Sequence, residues 1–597
     1  MVVEARTQDP TQLDAWKAAL SSADAAERAA AAFALGQLGV AWDPPSDDDR
    51  ARAEATLLAA LAVEKDAAVR DRVVEALGKV GGKLALASLT QALDGAERAR
   101  AAIALAALAK SRSLTDDRSR VLLEKQLGDG DADARYGAAL ALQRYKDPGS
   151  RPALLKALSD SAVHVRATAA KALADAGRPE DAGALAPLVD DADVRVAAEA
   201  ARTLVKLAGK CKDSCAPVEA LRKAKLPWRP SVVQAVTFEH WRGAAAVVLL
   251  RQAYDAATHD GTLEPRGKAI VACKLAMSHD RALRRIDLLR SCGRRLIDER
   301  QRSVWMAQAI GDGGDAPLTA RLSAELAKLA SSRHAAVRGA VAEAADPATT
   351  RKLLGDGDSA VVAAAAERAT KLKLADAGPL MQAALGRLRG ADAVEAQQAI
   401  LAAAAELKLA AFIPAARALV DADPYALRQA AAQALTALEG RPVVARLPAV
   451  TTASSTPAPA TVRIKTTRGT IRARLWTEDA PRTSENFLAL VKRGFYDKLT
   501  FHRVVPNFVS QGGDPRGDGS GGPGYMIPCE INMRRYGEGV LGMALSGRDT
   551  GGSQLFFTHS PQPHLDGRYT SFGEVIEGLD VAVRLIEGDV ILEARVE

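Results

Sequence analysis

DADARYGAALALQRY, Asp131 to Tyr145, is followed by SAVHVRATAAKALADAG, Ser161 to Gly177, and by DADVRVAAEAARTLVKL, Asp191 to Leu207. Each stretch carries an arginine just after a turn and then an Ala/Leu-rich run. From Arg135 to Arg166 is 31 residues and from Arg166 to Arg195 is 29. A period near 30 with apolar residues at i, i+3, i+4 and i+7 predicts one antiparallel helix pair per repeat. The aspartate of each turn is expected to cap the next helix by accepting its unpaired backbone N–H groups. Alanine allows neighbouring helices to approach closely, and a glycine such as Gly78 or Gly177 is expected to end the helix.

The pattern runs outward from these repeats in both directions. KDAAVRDRVVEALGKVG around Arg70 precedes them, and HAAVRGAVAEAA around Arg338 and ADPYALRQAAAQALTAL around Arg428 follow. It weakens between about residues 210 and 320, where Trp228, Trp241 and Trp305 occur with four of the five cysteines. The recurring D-x-x-V-R turn and A-x-x-A-L helix resemble HEAT-like repeats, which implies an α-solenoid over residues 1–441, irregular around 210–320, whose long faces bind a protein partner. Each repeat arginine is expected to make a structural contact within or between repeats.

Composition agrees with this reading. The chain of 597 residues is 48% hydrophobic and 26% charged but only 4% aromatic. That balance describes a folded chain of closely packed helices, not a disordered one or a large β-sandwich. No apolar run is long enough to span a membrane. Net charge is +7, which over this length does not indicate a nucleic-acid partner. The basic residues are densest in RALRRIDLLRSCGRRLIDERQR, Arg281 to Arg302. This reads first as a solvated helix face with pairs such as Asp298–Arg302, and alternatively as a patch for an acidic partner or phosphate. Cys211 with Cys215, and Cys273 with Cys292, are placed for either disulfides or reduced thiols. No metal ligand set accompanies them or the lone Cys529. MVVEARTQDP at the start has no leader pattern, so the expected compartment is cytoplasmic, or periplasmic if a leader has been removed.

At PVVARLPAVTTASSTPAPA, residues 442–460, the helical period gives way to Pro, Thr, Ser and Ala, an extended linker that suggests independent motion of the two halves, with docking of the solenoid on the barrel as the alternative. From residue 461 to 597 the chain changes character. TVRIKTTRGTIRARLW reads as a β-hairpin and APRTSENFLALVKRGFYD as a helix. Glycines, turns and short strands follow, consistent with an all-β barrel with capping helices.

Three motifs occur in order in this segment: FHRVVPNFVSQGGD from Phe501, GMALSGRDTGGSQLFFT from Gly542 and HLDGRYTSFGEV from His564. Together they resemble the cyclophilin family of peptidyl-prolyl cis/trans isomerases, which implies a closed β-barrel that isomerises Xaa-Pro bonds of protein clients without a cofactor or metal. The chemistry suits the residues. Rotation of an Xaa-Pro amide needs a catalyst that favours the twisted bond over the planar one. A permanently charged guanidinium, Arg503, is suited to donate to that state. Gln511 is placed to hold Arg503 or the substrate carbonyl. Phe508, Val509, Phe556 and Leu565 would form a dry pocket for the proline ring.

The resemblance places the family's catalytic arginine on Arg503, its glutamine on Gln511, its pocket phenylalanines on Phe508 and Phe556, its backbone-binding alanine on Ala544 and its pocket leucine on Leu565. Val509 stands where the family has Met, Leu545 where it has Asn, and His564 where it often has Trp, a change that bears on cyclosporin binding. Tyr569, as in bacterial members, closes the pocket edge. The alternative function is a scaffold that binds proline-containing segments without turnover.

Overall fold

In the computed structural model the described residues are 8–40, 45–210, 282–292, 299–311, 319–448 and 455–597, with scattered residues between 216 and 297. Cys211, Cys215, Trp228, Trp241, Arg281 and Asp298 lie outside them.

Helices of the repeats form two layers. The inner layer is a ladder in which Ala25–Gln37, Ala67–Val80, Arg98–Arg112, Ala132–Tyr145, Val163–Ala176 and Val194–Ala208 stack in succession. A second run continues through Glu299–Gly311, Ala335–Ala344, Ser359–Lys371, Val394–Glu406 and Tyr425–Glu439. Shorter helices such as Asp117–Gln126 and Arg151–Ala157 pack behind. Alanine fills the contacts between rungs: Ala101, Ala102, Ala138, Ala169 and Ala200 are fully buried. Among the described residues no helix is long and apolar enough to cross a membrane.

Local chemistry accounts for the helix starts. Asp66, Asp131 and Asp193 accept from backbone N–H groups at the heads of their helices. Val163–Ala176 departs from the expected rule, because Ala162 holds the cap position and Asp160 accepts from the Ala162 N–H at 2.8 Å instead. Gly177 does follow the last residue of that helix. Gly78 does not end one. It lies inside Ala67–Val80, where a Cβ would stand 2.6 Å from the Ala104 backbone, so its role is close approach of two rungs.

Arg135, Arg166 and Arg338 make structural contacts, as expected, and follow one design. Arg135 bonds both oxygens of Asp160 at 2.7 and 3.0 Å and the Asp129 carbonyl at 2.9 Å. Arg166 repeats this with Asp191 and the Asp160 carbonyl. Arg338 pairs with Asp356 at 2.6 and 2.8 Å. Each fork thus joins the turn of its own repeat to the next. In the basic stretch Arg285 is buried against the Ala309 carbonyl, and Arg290 meets Glu325 at 2.6 Å. Trp305 is buried, and Cys273 and Cys292 are joined as a disulfide with their Cα atoms 5.4 Å apart.

The C-terminal part is one curled antiparallel sheet of eight strands: β1 Thr461–Thr466, β2 Gly469–Leu475, β3 Arg503–Val505, β4 Val509–Gly512, β5 Val540–Met543, β6 Leu555–Thr558, β7 Ser571–Glu577 and β8 Ile591–Val596. The strand order is β3-β4-β6-β5-β7-β2-β1-β8. Just before the two outermost strands, the Phe501 N–H donates to the Asp589 carbonyl at 2.8 Å and the Ile591 N–H to the Leu499 carbonyl at 2.8 Å. Helix Pro481–Lys492 covers the sheet with Phe487 and Leu490 buried. Its N-terminus is held by the buried Glu530 carboxylate, which accepts from the Thr483 N–H and hydroxyl at 2.8 Å each.

The two parts are docked, so of the two arrangements considered for the linker the docked one is present. The sheet domain sits against the inner ladder along much of its length. Arg535 forks onto Asp71 and Glu75, and Arg72 donates to the Met533 carbonyl at 3.2 Å. Tyr136 donates to the Pro561 carbonyl at 2.9 Å. Asn507 donates to Glu199 at 3.0 Å, and Arg516 pairs with Asp358 at 2.8 Å. Near the far end the Arg548 guanidinium lies 4.9 Å over the Tyr425 ring. Arg195 departs from the arginines before it. Its fork reaches Asp193 on one side and Glu538 and the His559 carbonyl on the other.

Candidate active site

The site grows from the β3–β4 hairpin. Antiparallel register sets Arg503 opposite Gln511. The turn between them needs a left-handed backbone at Asn507, φ 61°, a conformation asparagine tolerates better than most residues. Gln511 in turn lies opposite Phe556 on β6, and Phe556 opposite Gly542 on β5. The sheet order therefore brings together residues from all three motifs.

Arg503 is half-buried and donates from Nη1 to Gln511 Oε1 at 3.3 Å. Its guanidinium lies 5.7 Å from the Phe508 ring centroid. Burial lowers its pKa, yet a guanidinium starts so high that it stays charged. Gln511 spends its amide N–H on Gln554 Oε1 at 3.0 Å, and Gln554 donates to the Gly519 and Gly521 carbonyls at 2.7 and 2.8 Å. This chain fixes the orientation of Gln511 and, through it, Arg503. Gln554 was passed over in the sequence, where it is one polar residue among the turns of DTGGSQ.

Below the guanidinium is an apolar floor. Val509, Phe556 and Leu565 are buried in one cluster with Tyr536 and Val540, and Phe508, Ala544 and Tyr569 pack against it. Phe508 stacks on His564 with centroids 5.5 Å apart, and Phe556 meets Tyr569 edge-on at 6.0 Å. Tyr536 stacks behind Phe556 at 5.7 Å, a support that sequence reasoning missed because Tyr536 lies outside the three motifs. Burial, followed by Lys110, Arg144, Lys171 and Arg568, pushes the His564 imidazole down to about 3, so the ring is neutral at physiological pH. The nine residues singled out from the sequence thus form one connected set of contacts. Leu545, on the far side of Ala544, packs against the main sheet core. Phe501 is fully buried in that core, and desolvation lowers the pKa of the half-buried His502 imidazole.

His559 anchors the site to its surroundings. It is fully buried, its Nε2 lies 2.7 Å from Ser510 Oγ, and its N–H donates to the Phe508 carbonyl at 2.8 Å. Burial first, and Arg195 second, push its imidazole down to about 3. An unfolded histidine titrates near 6.5, so below that pH the unfolded chain takes up a proton that the folded chain refuses. The stabilising contribution is complete above pH 6.5 and is lost as pH falls toward 3. Relative to His559→Gln, the wild-type chain is expected to lose about 1.4 kcal/mol per pH unit between pH 6 and 4. Urea unfolding of both proteins across that range checks it; a stability difference that does not change with pH contradicts it.

The model of cyclophilin type peptidyl-prolyl cis-trans isomerases matches residues 461–596, and that of HEAT repeats matches residues 13–109 and 120–206. A peptidyl-prolyl cis-trans isomerase of Synechococcus elongatus is 54% identical over 135 residues, 22% of this chain and 93% of the relative. Peptidyl-prolyl cis-trans isomerase B of Bacillus subtilis is 55% identical over 129 residues, 21% of this chain and 90% of the relative. Among solved structures, a cyclophilin type peptidyl-prolyl cis-trans isomerase of Cryptosporidium parvum is 33% identical, with a TM-score of 0.22, covering 23% of this chain and 98% of its own. Through residues 461–596 the chain belongs to the cyclophilin type peptidyl-prolyl cis-trans isomerase family, here joined to HEAT repeats.

Proposed function

We propose that the chain is a peptidyl-prolyl cis/trans isomerase whose HEAT repeats serve as a protein-interaction module around the catalytic domain. The observation that carries this reading is a fixed, charged donor over a dry aromatic floor, Arg503 above Phe508 and Phe556. The proline ring enters the floor formed with Val509 and Leu565, while His564 and Tyr569 close its edges. Ala544 pairs with the client backbone through its main chain. As the amide twists, the prolyl nitrogen gains electron density and the carbonyl swings round. Arg503, held by Gln511 and Gln554, donates to that twisted state, and donation aimed at the transition state lowers the barrier. No bond to the enzyme forms and no proton is transferred. The backbone bonds between residues 499–501 and 589–591 support closure of the sheet into a barrel, which would make this floor rigid.

The Cys273–Cys292 disulfide supports an oxidising, extracytoplasmic compartment for the chain. The catalytic reading is tested by cis/trans exchange of a short Xaa-Pro peptide, followed by NMR with the full chain. Exchange well above the uncatalysed rate, which is tens to hundreds of seconds per event, is expected. Binding of the peptide with no acceleration would favour the scaffold.

A further inference from the structure

Beside the proline pocket the ladder gathers positive charge. Lys110, Arg144 and Lys171 come from three successive inner helices and line one solvent-open cleft with Tyr136, His164 and His564. His564 is also the residue stacked on Phe508, so the cleft begins at the pocket rim.

The charges here break the design of the other rungs. Arg135, Arg166 and Arg338 each have a carboxylate set against them. Among the described residues, Lys110 and Arg144 form no ion pair, and the charges that bear on Lys110 are Arg144, Arg568 and Lys171, all cations. Lys171 shares Glu199 at 3.8 Å, but that carboxylate is already held by Arg202 at 3.0 Å and Asn507 at 3.0 Å. Burial and its cationic neighbours push Lys110 down to about 8. His164 adds a buried Nδ1 without a hydrogen-bond partner. Like charges held together along one cleft repel one another, and an anion entering it removes that cost. At the Gln511 side of the site the charge has the reverse sign. There Asp392 and Glu395 of the ladder line a second cleft with Gln511, Ala544 and Gln554.

We propose that Lys110, Arg144 and Lys171 form a specificity site that receives an anionic side chain of the client flanking the isomerised proline. Asp392 and Glu395 repel the same charge from the other flank, so the HEAT repeats read the polarity of the segment around the bond. The inference rests on the isomerase reading above.

The test uses the full chain and octapeptides with one central Ala-Pro, neutral elsewhere. A single Gln→Glu replacement is scanned along both flanks, with phosphoserine at the best position to separate carboxylate from phosphate. NMR exchange gives kcat/KM and fluorescence anisotropy gives affinity. On one flank the Glu peptide is expected to exceed its Gln counterpart by about fivefold or more. On the other flank it should fall below it. The gain should fade between about 50 and 500 mM salt. Because the Glu/Gln ratio is taken within one protein, K110Q/R144Q can be scored even if its overall rate drops, and its ratio should return to about one. A wild-type ratio near one on both flanks, or a preference that survives in K110Q/R144Q, overturns the proposal. If no peptide is isomerised, the catalytic reading fails, and the anisotropy ratios still decide this one.

Discussion

Replacing Arg503 by alanine is expected to lower kcat/KM on an Xaa-Pro peptide by about a hundredfold, the loss typical of one preorganised donor in a dry site. KM should change little, because the proline floor of Phe508, Phe556 and Leu565 does not depend on the guanidinium for its packing. An interaction made in the transition state alone moves kcat and kcat/KM together. Arg503→Lys keeps the charge but loses the planar fork that meets Gln511 at 3.3 Å, and should fall between the two. Circular dichroism should show an unchanged fold, since Arg503 is half-buried at the rim. Undiminished activity of the alanine variant would remove Arg503 from the mechanism.

The second large effect is expected at Gly542. A Cβ there would stand 2.1 Å from Cζ of Phe556 and 2.6 Å from the Tyr536 hydroxyl. Both rings belong to the floor, and neither contact distance is tolerable. Gly542→Ala must therefore displace Phe556 into the proline pocket or push the rings apart. Overpacking of this kind costs about 1–3 kcal/mol. Displacement of a positioning group by 1 Å can cost about a hundredfold in rate, so activity should drop by at least about tenfold. Gly537→Ala, where no atom lies within 4 Å of the added carbon, is the control and should be near neutral. Equal thermal stability and activity of the two variants would show that Phe556 does not need Gly542.

What could be read in the sequence was what repeats or what is local. The arginine and alanine period announced the ladder because each rung solves the same packing problem. Arg503 and Gln511 were legible because both fall in one short motif, which the structure folds into a hairpin that sets them opposite each other. The support behind the pocket was not. Gly542, Phe556 and Tyr536 meet through the order β4-β6-β5 and through a loop, and neither is encoded in spacing along the chain. The contacts that dock the two parts were invisible for the same reason. Arg166 and Arg195 look alike in their turns, yet one bridges to Asp191 and the other crosses to Glu538, 343 residues away. The linker, rich in Pro, Thr and Ser, suggested freedom because its composition says nothing of the ion pairs at Arg535 and Arg516 that hold the parts together.

The ladder rises on both flanks of the groove, at Lys110 and Arg144 on one side and at Asp392 and Glu395 on the other. On the isomerase reading proposed above, a client reaches the floor only past these helices, so an extended segment is the form expected to be processed and a folded domain the form expected to be slowed.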